Sequence, residues 1–448
     1  MLRIFPTPRL SREVMKPAVP VVVGMLSQTL VNLVDTAMVG RLGAAALAAV
    51  GMGGVLSWLV LGTMNGLNVG VQAVTARRYG EERWKAVGRT YDNAAALALS
   101  IGLIGTMLIA PGMRAVYPLF VDSVAVAEMG QEYLFLRLLG ALPFMVIAWH
   151  KGFFNGVGAT YMHMRVAVLV NLLNVGLNYM LIFGHFGAPK LGAAGAGLAS
   201  TLATLVGAVV FFAMALGPKW RKRFGYLRVS NLRRDGMWSV VRLALPSGFH
   251  DFSVMLGFTA FMALVARVGT VELAAANICI AVMSFSFLPG AGIGTAAATL
   301  VGQELGRKRP DKAEEYGWEA GRIGAFLMGF IGLVFIFAPQ WITALFTTDP
   351  AVIEASRLPL RIIGAVQAFD ALGMVFSFAL YGAGLNRFVM IAEVIINWTI
   401  FLPLAYFLMF VADWKLTGAW TAFAFYIVAF SMTMMLKFRG SAWKTAKV

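Results

Sequence analysis

One carboxylate of this chain sits where a carboxylate is costly. In the run Asn32-Leu33-Val34-Asp35-Thr36-Ala37-Met38-Val39-Gly40-Arg41-Leu42-Gly43, Asp35 lies near the end of an apolar stretch that opens around Met15. An ionisable side chain inside a membrane-spanning helix costs roughly 2.5 to 3.5 kcal/mol on insertion scales, and is a functional residue by default. Asp35 stands about five residues, or about 7.5 Å, from the helix end, which is far for so short a side chain to snorkel. Such a group can be held protonated by desolvation, or charged by donors or a bound cation, and so can switch.

Its partners must come from other helices at the same depth. On the fifth helix Asn171, Asn174 and Asn178 fall at i, i+3 and i+7 on one face, with Asn178 level with Asp35 and Asn174 one turn deeper. Tyr133 on the fourth helix reaches a similar depth, and Thr201 and Thr204 lie well inside the sixth. The same residues also fit a polar network that joins helices. In the second half, Asp251 and Asp370 come to one level, where two carboxylates would share a proton or hold a cation between them. Glu393, a few residues into the eleventh helix, is expected at the interface. The histidines His150, His163, His185 and His250 show no ligand spacing on one helix. The single cysteine, Cys279, excludes an internal disulfide and a cysteine metal cluster, and reads as a small buried hydrophobe. Without a phosphate-binding Gly-x-x-x-x-Gly-Lys-Ser/Thr loop, a His-Glu-x-x-His or a Gly-x-Ser-x-Gly, neither direct ATP driving nor hydrolysis is expected, and no metal site and no cofactor.

The elements that position these residues are membrane helices. Of 448 residues 59% are hydrophobic and 13% charged, more apolar surface than a soluble core hides. Spans of about 20 residues give an all-α fold of twelve transmembrane helices near 15–39, 45–76, 92–113, 129–152, 162–184, 192–216, 238–265, 273–302, 317–338, 353–380, 386–410 and 416–436. No cleaved signal peptide is expected ahead of them. Of the 37 lysines and arginines, 29 fall on the side of the N-terminus and 8 on the other, so the positive-inside rule predicts both termini cytoplasmic. The net charge of +16 thus reads as topology and lipid contact, not as a nucleic-acid surface.

The chain is also written twice. A constant shift of 226 carries Pro20 onto Pro246, Arg41 and Gly43 onto Arg267 and Gly269, Gly80 onto Gly306, and Asn171 onto Asn397. Six helices per copy is an even number, so the copies share an orientation and are related by an axis along the membrane normal. The expected organisation is an N-terminal segment 1–14 with Arg3, Arg9 and Arg12, an N-lobe 15–217, a basic linker 218–237, a C-lobe 238–436 and a tail 437–448. Pro20 removes a hydrogen bond from the first span and predicts a bend, a candidate hinge. Glycine runs such as Gly51-Met52-Gly53-Gly54 and Gly290-Ala291-Gly292 let helices approach closely.

The segment LVDTAMVGRLG, Leu33 to Gly43, followed by LAAVG and a basic loop after the second helix, resembles the multidrug and toxic compound extrusion family over all twelve helices. Pro20 and Asp35 look like its DinF-like branch, in which the matching aspartate implies an N-lobe cation site. The network of that branch is matched by Tyr133 and Asn174, whereas Asn178 stands where other members have aspartate, which favours protons over sodium. Asp251 and Asp370 look like the C-lobe acids of the NorM-like branch, where sodium coupling is implied. The resemblance implies an antiporter of the inner membrane of a prokaryote that exports amphipathic, often cationic, compounds against protons or Na+, expected to act as a monomer among membrane lipids. A lipid-linked-intermediate flippase is the alternative; it needs arginines inside central spans, and Arg137 and Arg361 lie close to helix ends.

Overall fold

The computed structural model describes residues 5–446. The first four residues, Arg3 among them, and the last two of the tail lie outside the described residues. Among the described residues every regular element is helical, and eleven helices are long and apolar enough to cross a membrane, twelve when one bent pair is taken as a span. They are α1 (Pro8–Gly40), α2 (Ala44–Gly80), α3 (Trp84–Phe120), α4 (Val124–Leu138 with Ala141–Gly156), α5 (Thr160–Phe183) and α6 (Ala193–Ala215) in the first repeat. The second repeat holds α7 (Arg234–Ala266), α8 (Thr270–Gly306), α9 (Pro310–Phe337), α10 (Pro350–Ala383), α11 (Asn386–Val411) and α12 (Lys415–Arg439). The fold is the expected one, all-helical with twelve spans in two copies of six.

Several helices are longer than the apolar windows that mark them in the sequence. α1 and α7 run 33 residues, α8 37 and α10 34. An apolar window measures hydrocarbon thickness, whereas backbone hydrogen bonding continues through the charged turns beyond it. α4 bends by 44° between its two parts. The cause is local: Pro143 has no N–H to give the Leu139 carbonyl, and Thr106 steps in, its hydroxyl donating to Leu139 O (3.3 Å) and accepting from Leu142 N (3.1 Å).

The chain forms two compact units whose limits fall inside helices. One holds the residues up to Val22 together with Phe249 onward; the other is Val23–Gly248. In the second unit, Gly66 and Gly70 of α2 lie against the first part of α7. A Cβ on Gly66 would stand 2.3 Å from the Gly248 nitrogen, and one on Gly70 2.8 Å from the Ala244 nitrogen. The two backbones touch because glycines at i and i+4 leave nothing between them. The stretch after α6 is tied down in the same unit. Asp92 accepts from the backbone of Leu227 (2.7 Å) and Arg228 (3.2 Å), and the Tyr226 hydroxyl donates to Ala215 O. Burial pushes that phenol above its usual range.

Candidate functional site

Glycines set the frame around Asp35. On α6, a Cβ at Gly195 would lie 2.5 Å from the Leu181 carbonyl of α5, and one at Gly197 2.5 Å from the Tyr133 carbonyl of α4. α6 is thereby drawn between α4 and α5. On α2, Gly53 leaves space that the Tyr133 ring occupies, since a Cβ there would stand 2.5 Å from it. α1 runs beside α5 in the same direction, joined two turns below the acid by Asn171, whose amide donates to Ser27 Oγ at 2.7 Å.

Asp35, half-buried, accepts from Asn178 Nδ2 at 2.5 Å. The Asn174 amide can be placed two ways round, and its neighbours favour the one with nitrogen toward the acid. With its nitrogen toward the acid it lies 2.9 Å from Asp35 Oδ2, and its oxygen accepts from Ser200 Oγ (3.1 Å) and N (3.3 Å). Turned over, it accepts from Asn178 Nδ2 (3.2 Å) and donates to Ser200 Oγ (3.1 Å). The first orientation suits an ionised acid, which only accepts; the second removes a donor from it, as a protonated acid requires. Asn178 Oδ1 is buried without a hydrogen-bond partner. An O–H arriving on Asp35 would find its acceptor there after one turn of that amide. Among the described residues no Lys, Arg or His lies within ion-pair distance of Asp35, although the charge of Arg137, whose Nη1 is buried without a hydrogen-bond partner, acts on it.

The other expected partners stand further off. Tyr133 is buried, only 8% exposed, between α2 and α6 and makes no hydrogen bond to Asp35. Thr201 gives its hydroxyl to the carbonyls of Leu136 (2.6 Å) and Arg137 (3.2 Å), just before the bend of α4. Its place is explained by that bend: Gly140 N turns to Arg137 O at 3.3 Å, and the Leu136 carbonyl needs another donor. Ser200 and Ser27 were not foreseen. Ser200 could have been found one residue before Thr201, and Ser27 eight before Asp35, two helical turns on the same face.

In the other unit Asp251 and Asp370 are not hydrogen-bonded to one another. Asp251 Oδ1 lies 3.1 Å from Nδ1 of its neighbour His250, and the Asp370 carboxylate has no hydrogen bond or ion pair among the described residues. Glu393 does not reach an interface: it is 1% exposed and accepts from Tyr426 Oη at 2.6 Å and Asn397 Nδ2 at 3.4 Å. Seven residues into α11 it faces α12, and the i, i+4 spacing to Asn397 was the signal missed. His150 is a satisfied core residue, bonded to Tyr91 Oη at 3.0 Å and to Val146 O at 2.7 Å. Cys279 is fully buried.

Two copies of six membrane helices, with a lone acid held by amides inside a span, define a membrane transporter. The MatE family model matches residues 20–180 and again 246–407, two stretches whose starts are 226 residues apart, and the chain belongs to that family, the multidrug and toxic compound extrusion transporters. It is a family of transporters and not of enzymes. A relative from Thermotoga maritima, "Probable multidrug resistance protein NorM", is 30% identical over 98% of this chain and 95% of its own length. Two solved structures titled "Crystal structure of MATE in the straight conformation" and "in the bent conformation" match with TM-scores of 0.89 and 0.87. Both are 21% identical; the first covers 96% of this chain and 95% of its own, the second 97% of each.

Proposed function

We propose that this chain is a proton-coupled antiporter that exports amphipathic, often cationic, compounds across the inner membrane of a prokaryote, both termini cytoplasmic. The observation that carries the reading is the Asp35 site. Two amides that can each face the acid by nitrogen or by oxygen give the charged and neutral acid different surroundings, and a ligand biases two states only by binding them differently. A proton arriving on Asp35 turns Asn178 over so that its oxygen accepts the new O–H, loosens the attachment of α1 to α5, and lets α1 bend beside Pro20. The N-lobe (15–217) then reshapes and releases its substrate. The names of the relatives support the substrate class, and Asn178 in place of a second acid supports protons, since a sodium ion held here would have one carboxylate only.

Dye transport into proteoliposomes under separately imposed proton and sodium gradients tests this. Proton-driven transport without sodium, lost in Asp35→Asn, is expected. Transport that needs sodium and is damaged more by Asp251→Ala and Asp370→Ala than by Asp35→Asn would overturn it in favour of a C-lobe cation site.

A further inference from the structure

The places where the chain changes unit are fixed by contacts that occur twice. It passes from one unit to the other between Val22 and Val23 in α1 and between Gly248 and Phe249 in α7, in each case two residues beyond a proline, Pro20 or Pro246. Ahead of each crossing the helix is held at two points. The first is a glycine contact. A Cβ on Gly292 of α8 would lie 2.3 Å from the Val22 side chain and 3.3 Å from the Ala18 carbonyl, as one on Gly66 would lie 2.3 Å from Gly248 N and 2.6 Å from Ala244 O. Gly66, Ala18 and Val22 are carried onto Gly292, Ala244 and Gly248 by the shift of 226.

The second point is at the start of each helix. Thr7 N, just ahead of α1, donates to Glu319 Oε1 at 2.5 Å; Arg233 N, just ahead of α7, donates to Asn93 Oδ1 at 2.9 Å. The same shift takes Thr7 to Arg233 and Asn93 to Glu319. A backbone N–H with no partner in its own helix is met in both cases by the third helix of the other repeat. The two differ in charge. Glu319 is fully buried, takes a second bond from Ser11 Oγ (2.6 Å) and pairs with Arg322 Nη1 (3.0 Å). Asn93 is neutral and also donates to the Asn231 carbonyl at 3.2 Å.

We propose that Glu319 and Asn93 are repeat-related latches that pin the leading ends of α1 and α7 to the unit opposite the one carrying the rest of each helix, and that both stay shut through the transport cycle. The proposal rests on the antiport reading for its purpose. A rod pinned at both ends to two bodies that move must bend between the pins, and a proline there has already removed one hydrogen bond. With its leading end free, α1 would be held there by the Gly292 contact with Ala18 and Val22 alone, and a displacement of Asp35 would be passed less fully into a bend. The α1 latch is the stronger, because its acceptor is a paired carboxylate.

The test uses the full chain in nanodiscs and proteoliposomes. Glu319→Ala speeds amide hydrogen exchange of the segment around Thr7 to Glu13 about tenfold, the order expected for loss of a bond to a charged acceptor. Glu319→Gln, which keeps an acceptor oxygen, speeds it less, and Asn93→Ala does the same for the start of α7. Dye turnover falls with each while dye affinity changes less than about twofold, since nothing at the Asp35 site is touched. In a Cys279→Ser background, Ser11→Cys with Glu319→Cys is slow when reduced and regains transport when oxidised, the covalent link standing in for the latch. If oxidation leaves the pair no faster, or blocks it, the latch is either idle or a gate that must open, and the proposal fails. Equal exchange in wild type and Glu319→Ala fails it too. Exchange reports the latch whatever drives transport, so a wild type that ignores a proton gradient sinks the antiport reading alone.

Discussion

Asp35→Asn separates the role of the acid from its place in the fold. In the charged form two amide nitrogens, at 2.5 and 2.9 Å, face its oxygens, and bonds to a charged group contribute roughly 1.5 to 3 kcal/mol each, so about 3 to 6 kcal/mol is lost with the charge. An asparagine returns part of it. Its oxygen still accepts from Asn178, its nitrogen meets Asn174 in the turned-over orientation that already bonds Ser200 at 3.1 Å, and two neutral bonds return about 2 kcal/mol. The insertion cost of a charge, roughly 3 kcal/mol, also disappears. The net change in stability therefore lies between about 2 kcal/mol gained and about 1 kcal/mol lost, and expression and melting temperature do not fall far below wild type. Transport does not survive. Driving a two-state equilibrium from one side to the other takes about 5.5 kcal/mol of differential binding, and half of that is already about a hundredfold in rate. Dye efflux under a pH gradient should fall at least about a hundredfold, with its pH dependence gone. An Asp35→Asn protein that inserts normally and transports within twofold of wild type would refute the argument.

Pro20→Ala restores a hydrogen bond to α1 and should slow transport several-fold while raising thermal stability, read by dye efflux and a melting curve on one preparation. Gly66→Leu places a side chain where a Cβ already meets Gly248 N at 2.3 Å and should cost more than about 3 kcal/mol, an overpacking against backbone that cannot give way, seen as loss of folded protein in detergent. Glu393→Gln keeps the bond from Tyr426 and should leave folding intact, whereas Glu393→Leu leaves the Tyr426 hydroxyl and Asn397 amide unsatisfied and should cost about 2 to 4 kcal/mol, read by thermal unfolding.

The number and order of spans were legible because apolar windows and the 226-residue repeat are one-dimensional signals. The pairing of Asp35 with Asn178 was legible too, because two parallel helices with a common rise place residues at computable depths. Rotation about each helix axis was not. Thr201 sits at a suitable depth yet turns to the bend of α4, and Asp251 and Asp370 share a level yet Asp251 spends its oxygen on His250. Glu393 was misplaced for the opposite reason: distance from the helix end was used where the face it presents to Tyr426 decides. The interruption of α1 and α7 between compact units left no compositional mark, since the glycine contacts that fix it lie on other helices.

The repeat also says where the two copies were allowed to diverge. Position 35 becomes Phe261 in the second copy, and Phe261, fully buried, packs with Phe401 and Trp420 at centroid distances of 5.1 and 5.7 Å. By the same shift Asn174 and Asn178 become Ile400 and Leu404, but the π-helical turn Ile396–Phe401 leaves Ile400 41% exposed and puts Phe401 against Phe261 in a dry aromatic core. Ser200 becomes Tyr426, whose hydroxyl serves Glu393 from α11. The scaffold contacts, Gly66 with Gly292 and Asn93 with Glu319, are kept in kind. A common frame with different fillings is what the proposed single coupling acid would require, because a second acid at position 261 would ionise among eighteen other buried apolar residues with no amide to receive it. Phe261→Asp should accordingly fail to fold, whereas a double change that also supplies Phe401→Asn, at the ring that meets Phe261 at 5.1 Å, should recover insertion; equal loss in both would mean that the amides of the first copy are not what makes its acid tolerable.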